Sequence, residues 1–256
     1  MINQFGSIYS KYYDLLYKDK DYGLEAKYIL NILKNNNFND YSSLIDLGCG
    51  TGKHLNELST HFQQCIGIDI SEGMISSAIS DSNDFKNIEY RVSDVTSYDF
   101  NERFSCILSL FHVFSYLITD SQLNGFFESA SNHAKPESYL LFDYYNFDGL
   151  MHDKPSIRTK IVESDQIKVE RQATPELDED NNILKIDFDI NIIDKLANNE
   201  SHLFNESHSM RFFKQEEIAS LASKHGFELL NHYKWLSLDE PNDQAWYACS
   251  LFKKKA

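Results

Sequence analysis

The sequence predicts an α/β fold: an open, mostly parallel sheet with helices on both faces, an antiparallel edge hairpin, and a β-rich insertion after the fifth strand. Three observations carry this. Short apolar runs alternate with helical periodicity between about residues 41 and 149, and strands buried on both faces read as runs rather than alternations. A glycine-rich turn, Gly48-Cys49-Gly50-Thr51-Gly52, joins the first run to a helix. After about Gly149 polar residues alternate with β-branched or aromatic ones, as in half-exposed antiparallel strands.

The elements follow in order. Ile8 to Tyr17 is crowded with tyrosine, and Tyr22 to Lys34 spaces its apolar residues as a helix does. Asparagines at 35–37, with Asn39 and Asp40, mark a loop. Leu44 to Leu47 is the first strand and Lys53 to Phe62 the helix after the turn. Cys65 to Ile68 is the second strand, and Ser71 is placed to cap a helix through Met74 to Ile79. Ile88 to Val92 and Phe104 to Leu110 are the third and fourth strands. A helix over Thr119 to His133 leads to the fifth, Ser138 to Phe142.

Ile157 to Arg171 and Ile183 to Asp194 read as antiparallel strands separated by an acidic turn, Thr174 to Asn182. A further strand fits His208 to Phe213. Gln215 to His225 is helical with Gly226 as its C′ residue, and Phe227 to Trp235 with Ala245 to Phe252 forms the closing hairpin. The expected organisation is an N-terminal helical lid (1–40), a sheet domain (41–149 and 214–256) and an antiparallel insertion (150–213) serving as a substrate lid.

Composition narrows the partners. With 24 Lys+Arg against 39 Asp+Glu the formal charge is −15, a poor match to a phosphate backbone, so nucleic acid is not expected. At 42% hydrophobic residues the chain has enough apolar surface to fold, which excludes an acidic disordered protein. Cys49, Cys65, Cys106 and Cys249 lie at no redox or zinc-knuckle spacing, so free thiols in a reducing cytoplasm are expected and no metal. The N-terminus lacks a basic segment followed by an apolar one. The most apolar window, Cys106 to Ile118, is too short to span a bilayer, so no membrane association is expected.

Asp46-Leu47-Gly48-Cys49-Gly50-Thr51-Gly52 follows a strand and opens a helix, where open α/β sheets bind nucleotides. About twenty residues on, Asp69 stands at the end of the second strand, where a carboxylate can accept both hydroxyl protons of a ribose. The dinucleotide fingerprint G-x-G-x-x-G needs glycine at 53, and Lys53 is there. Asp46 would repel a pyrophosphate but suits a ligand bearing an ammonium group. Adenosine joined to an amino acid fits better than adenosine joined to a diphosphate.

These residues resemble motif I of the class I S-adenosylmethionine-dependent methyltransferases, which have a Rossmann-like sheet. Asp69 matches their ribose-binding acid, Ser93-Asp94-Val95 the segment contacting adenine, and Ser109-Leu110-Phe111-His112 the segment lining the methionine and substrate side. Tyr12-Tyr13-Asp14 and Lys20-Asp21-Tyr22 are similar to the N-terminal lid of the small-molecule, sugar aminomethyl-type methyltransferases, which also carry a β-insertion after strand five. Where sugar N,N-dimethyltransferases tend to have a histidine, this chain has Tyr116.

The resemblance implies S-adenosyl-L-methionine as cofactor, held by Tyr22, Asp46, Gly48, Cys49, Gly50, Gly52, Asp69, Ile70, Met74, Asp94, Val95 and Leu110. It puts His112 and Tyr13 forward as catalytic residues, and Tyr116, Tyr144, Tyr145, His208 and Arg211 as substrate contacts. Each has a plainer role beside it. Asp69 can cap the helix at Ser71, Asp94 can close a turn, Met74 can be core, and Tyr144 and Tyr145 can pack under the insertion. His208 and Arg211 are three apart, so in a strand they face opposite ways, and Arg211 suits a surface ion pair.

The expected activity is methyl transfer to an oxygen or nitrogen of a small molecule, with sugars, nucleotide-sugars and surface-polysaccharide components as the classes indicated. His112 would serve as base for a hydroxyl acceptor. The alternatives are a nicotinamide-dependent oxidoreductase and a non-catalytic methyltransferase-like binding subunit. A cytoplasmic monomer or homodimer is expected.

Overall fold

A computed structural model describes residues 15–196 and 200–256; Tyr13 lies outside these residues. The expected α/β fold with its insertion is what the structure has. Helix α1 (Tyr22–Asn35) starts at Asp21, whose side chain accepts from the Leu24 N–H. Its apolar stripe, Ala26, Ile29, Ile32 and Leu33, buries against one face of the sheet. Strands β1 (Ser43–Leu47), β2 (Gln64–Asp69), β3 (Ile88–Val92) and β4 (Phe104–Ser109) alternate with helices α2 (Lys53–Leu58) and α3 (Glu72–Asp81). A 3-10 turn (Val113–Tyr116) and α4 (Asp120–Asn132) lead into β5 (Ala134–Asn146). Thr119 and Gln122 form a capping box at the start of α4, satisfying two otherwise orphaned N–H groups.

The five strands run parallel in the order β3-β2-β1-β4-β5. Strand β1 has β2 on one side and β4 on the other, so the order reverses there and opens a crevice at the carboxyl ends. On β5's far side lies the antiparallel β11 (Tyr247–Lys254), with β10 (Phe227–Lys234) completing the edge hairpin. An aromatic layer of Phe114, Phe126, Phe127, Phe142, Phe213 and Phe252 fills the face opposite α1.

The insertion is a four-stranded antiparallel sheet of β6 (Arg158–Glu163), β7 (Ile167–Asp178), β8 (Ile183–Asp194) and β9 (Glu200–Phe213). Strand β5 outruns β4, and its last residues, Tyr145 and Asn146, pair with Phe212 and Phe213 of β9. The short α5 (Phe147–His152) turns the chain into the insertion, and α6 (Gln215–Lys224) leads back out, ending at Gly226 with φ +79°.

Three local expectations differ. The single strand expected over 157–171 is two, broken where the Ser164 hydroxyl accepts from the N–H groups of Gln166 and Ile167. Thr174 to Asp178 is strand rather than turn, because pairing with Ile183 to Asp187 satisfies its backbone despite its acidic side chains. Strand β9 begins eight residues before the expected His208, since β8 pairs with its whole length.

The insertion's inner face carries Val162, Val169, Ile190 and Ile192, which cluster with Met74 of α3 and Leu16. Burying each such side chain is worth about 1.5–3 kcal/mol. This contact holds the insertion over the α3 side of the parallel sheet.

Candidate functional site

The site begins at the glycine turn. Gly48, Gly50 and Gly52 have φ of +80°, +55° and +77°, a region side chains with a Cβ rarely enter. The three serve different ends. A Cβ on Gly48 would lie 2.6 Å from Val113, and one on Gly52 would run into the Tyr90 phenol. A Cβ on Gly50 would meet nothing within 4 Å, so that glycine borders open space. Cys49 is a buried neighbour in the turn, and its N–H and that of Gly48 donate to the Ile68 carbonyl.

Asp69 ties this turn to α3. One carboxylate oxygen accepts from the Gly50 N–H (3.0 Å) and the other from the Ser71 N–H (2.9 Å). Ser71 itself caps α3, so Asp69 braces the cap rather than replacing it. Burial raises the Asp69 carboxyl pKa, and the backbone hydrogen bonds only partly offset this. Asp46 is fully buried at the end of β1, and its Oδ1 has no hydrogen-bond partner among the described residues. Burial, with repulsion from Asp69 and Asp143, pushes its carboxyl up to about 7. A buried carboxylate with no partner calls for a cation or a donor.

The other expected cofactor contacts are spread around this point. Asp94 is exposed and closes a turn on the N–H and hydroxyl of Thr96. Val95 packs on the core, Leu110 is buried, and Ile70 is 66% exposed beside Asp69. Met74 is the buried side chain on which the insertion rests. Tyr22 sets its ring edge-on to His54 at 4.9 Å.

His112 follows β4 on a strained segment, since Phe111 and His112 both have positive φ, +65° and +64°. Such non-glycine residues cost about 1–3 kcal/mol each and persist only where the surroundings hold them. Asp143 does the holding. Its carboxylate accepts from the His112 main-chain N–H at 3.0 and 3.2 Å. The ring Nδ1 lies 2.7 Å from Asp143 Oδ2, a close contact that falls short of a full hydrogen bond. The imidazole stacks on Tyr247 at 4.3 Å and tilts against Tyr145 at 4.9 Å. Burial raises the phenol pKa values of Tyr145 and Tyr247, keeping them neutral donors.

Tyr116, at the end of the 3-10 turn, reaches His208 of β9, Oη to Nδ1 at 2.9 Å. Arg211 faces the other way, as strand alternation requires. It pairs with Asp120 and Glu217, so the structure makes it an ion-pair residue between α4 and α6, not a substrate contact. Tyr144 is also corrected. It is fully buried among Phe142 and Phe213 on the face away from His112, with its hydroxyl accepting from Ser250. Tyr145, its neighbour, takes the site-facing side of the strand.

Several residues escaped the sequence. Asp143 interrupts an apolar run, Leu140 to Tyr145, and an acid buried in such a run was the available signal. Lys20 lies 4.2 Å from the face of Phe111 and pairs with Glu25, whose carboxylate also meets His54 of α2 at 2.5 Å. Burial alone would raise the Glu25 pKa, but hydrogen bonds and charge from His54 and Lys20 outweigh it and lower it. Nothing in the local sequence joins these three, because α1 and α2 meet only through the fold.

The crevice fits an adenosyl amino acid. Asp46 is a buried carboxylate with one unpartnered oxygen, as an ammonium would require, Gly50 leaves backbone open, and Asp69 stands at the end of β2. Residues 44–137 match a methyltransferase domain family. A dTDP-3-amino-3,4,6-trideoxy-α-D-glucopyranose N,N-dimethyltransferase from Streptomyces venezuelae is 28% identical over 137 residues, 53% of this chain and 56% of that one. A related dTDP-amino-sugar N,N-dimethyltransferase from Streptomyces fradiae is 26% identical over 137 residues, 53% and 52% of the two chains. The chain thus spans about half the length of these curated relatives.

Among solved structures, an S-adenosylmethionine-dependent methyltransferase from Clostridium acetobutylicum superposes with a TM-score of 0.81 at 20% identity, over 97% of this chain and 98% of that one. The sugar N-methyltransferase KedS8 from a Streptoalloteichus species gives 0.80 at 18%, over 100% and 96%. Residues 44–137 thus match a methyltransferase domain family, and the whole chain shares the fold of S-adenosylmethionine-dependent methyltransferases. It resembles the sugar methyltransferases, and neither the nicotinamide-dependent nor the non-catalytic alternative is favoured.

Proposed function

We propose that the protein transfers a methyl group from S-adenosylmethionine to a nitrogen or oxygen of a small acceptor, with an amino sugar carried on a nucleotide as the first class to test. The observation that carries this is the buried, unpartnered Asp46 carboxylate beside the open Gly50, at the crevice where the sheet order reverses.

The bound cofactor supplies an activated methyl group on a sulfonium. The chain's own residues do the rest. Asp46 would hold the cofactor ammonium, Asp69 the ribose hydroxyls, and Lys20 over Phe111 the methionine carboxylate. Asp143 fixes the His112 ring against Tyr247, so a hydroxyl or ammonium acceptor finds a positioned proton acceptor. Aligning the reacting groups and excluding water supplies most of the acceleration in such a displacement.

The insertion supports an acceptor with an anionic group. Its inner face presents Arg158 over Trp246, Lys160 over Tyr17, and Arg171 over Tyr17 and Phe188. Three cations on one face of a chain of charge −15 are a local reversal of field. Among the described residues no helix is long and apolar enough to cross a membrane. We read the protein as a cytoplasmic monomer or homodimer that handles a soluble acceptor and no nucleic acid.

The test is to incubate the protein with S-adenosylmethionine and dTDP-3-amino-3,4,6-trideoxy-α-D-glucopyranose and follow the acceptor by mass spectrometry. Gain of one or two methyl groups supports the reading. Cofactor binding without transfer to this acceptor, but with transfer to another from a metabolite extract, moves the substrate class and keeps the reaction.

A further inference from the structure

Strand alternation on β9 puts Glu206 and His208, two residues apart, on the inner face of the insertion sheet, both largely buried. His208 Nε2 lies 3.3 Å from Glu206 Oε2, and its Nδ1 lies 2.9 Å from Tyr116 Oη. The chemistry orients this chain. A carboxylate only accepts, so the neutral imidazole keeps its proton on Nε2 and donates to Glu206. Nδ1 is then the acceptor and takes the Tyr116 hydroxyl hydrogen. Both remaining lone pairs of Tyr116 Oη face away from His208. Tyr116 retains 41% of its surface exposed, and the phenols of Tyr17 and Tyr145 stand within electrostatic reach of it. Arg171 also lies near the Tyr116 hydroxyl, and Phe188 packs edge-on to His208 at 5.2 Å.

We propose that Tyr116, His208 and Glu206 form a proton relay for the acceptor, separate from the His112–Asp143 pair; this rests on the methyltransferase reading above. Tyr116 accepts a hydrogen bond from the N–H of a neutral amine acceptor, and this turns the amine's lone pair toward the methyl group. As the nucleophile's lone pair forms the bond to the methyl carbon, the carbon–sulfur bond breaks with its electrons passing to sulfur. The nucleophile then carries a positive charge and gives its proton to Tyr116 Oη while Tyr116 passes its own to His208 Nδ1. Charge balances: a sulfonium is lost and an imidazolium is gained beside the Glu206 carboxylate, from which the proton leaves to water. Tyr116 is the catalytic residue, and His208 and Glu206 are positioning residues acting through it. Because His208 and Glu206 belong to the insertion and Tyr116 to the sheet domain's turn, the relay is complete only when the insertion lies over the sheet.

The experiment combines two readouts on the full chain. Nitrogen NMR of His208 reports its tautomer with no acceptor present, and the relay requires the Nε2–H form. In Tyr116→Phe the Nδ1 resonance should shift as its hydrogen bond is lost. Turnover is then measured on the acceptor found by the mass-spectrometric assay. Tyr116→Phe should lower kcat on the order of 10²-fold, the usual worth of a positioned proton acceptor. His208→Ala should lose activity that added imidazole restores in proportion to its concentration, which a purely structural histidine would not show. Glu206→Gln should change the kcat–pH profile. Cofactor affinity should stay within about twofold of wild type in all three. An Nδ1–H tautomer, or wild-type kcat in Tyr116→Phe and His208→Ala, overturns the relay. Failure of the wild type to bind S-adenosylmethionine overturns the underlying reading instead.

Discussion

Asp143 grips His112 twice, through the main-chain N–H at 3.0 and 3.2 Å and through ring Nδ1 at 2.7 Å from Oδ2. One carboxylate therefore holds the strained backbone and lies directly against the imidazole. Asp143→Asn keeps the shape but removes the carboxylate charge that lies against the ring. Turnover on a hydroxyl or protonated-amine acceptor should fall on the order of 10²-fold, with cofactor affinity nearly unchanged. Steady-state kinetics beside calorimetry checks this; equal loss in both quantities would make Asp143 a structural residue only.

Asp46 should make stability and cofactor affinity depend on pH in opposite directions. Its carboxyl is pushed from an ordinary 3.8 to about 7 by burial, so the folded chain binds that proton more tightly than the unfolded chain. Its contribution to folding is greatest at low pH and is lost as pH rises from about 4 to 7, a change on the order of 4 kcal/mol. Chemical denaturation of Asp46→Asn against wild type, both without cofactor, should show the variant gaining relative stability across that window. A cationic cofactor needs the ionised form, so its affinity for wild type should rise from pH 5 to 7, and this rise should vanish in Asp46→Asn.

The motif glycines should separate by readout. Gly52→Ala forces a Cβ into the Tyr90 phenol and strains a φ of +77°, and should cost about 2–4 kcal/mol of stability. Gly50→Ala meets no neighbour and should cost about 1–2 kcal/mol from backbone strain alone, yet weaken cofactor binding more than tenfold by occupying the open side. Thermal unfolding and calorimetry on both variants decide this.

Lys20 tests the N-terminal side of the site. Lys20→Met keeps the apolar stem over Phe111 and removes the cation, and should weaken binding of S-adenosylhomocysteine about tenfold. Unchanged affinity would leave Lys20 as a partner of Glu25 only.

Much of this was legible in the sequence, and the reason is locality. The glycine turn, the Ser71 cap and the apolar runs of the sheet are short-range patterns, and each lies where local sequence put it. Asp46 and Asp69 could be related because β1 and β2 are adjacent parallel strands of similar length. What failed depended on pairing across the chain. Tyr144 and Tyr145 are alike in sequence, and only the register of β5 sends one into the core and the other beside His112. Arg211 found acids 91 and 6 residues away on two helices. Asp143 gains its role from His112 and Lys20 meets Phe111, contacts between elements far apart in the chain that no window of the sequence contains.

Asp46, the glycine turn and Asp69 are proposed to build one cofactor site. Isothermal titration calorimetry of the wild-type chain with S-adenosylmethionine and with S-adenosylhomocysteine tests it most directly, with Asp69→Ala titrated alongside. Saturable one-site binding of both ligands by wild type is expected, with at least tenfold weaker binding by the variant. No heat with either ligand, or equal affinity in Asp69→Ala, would contradict it.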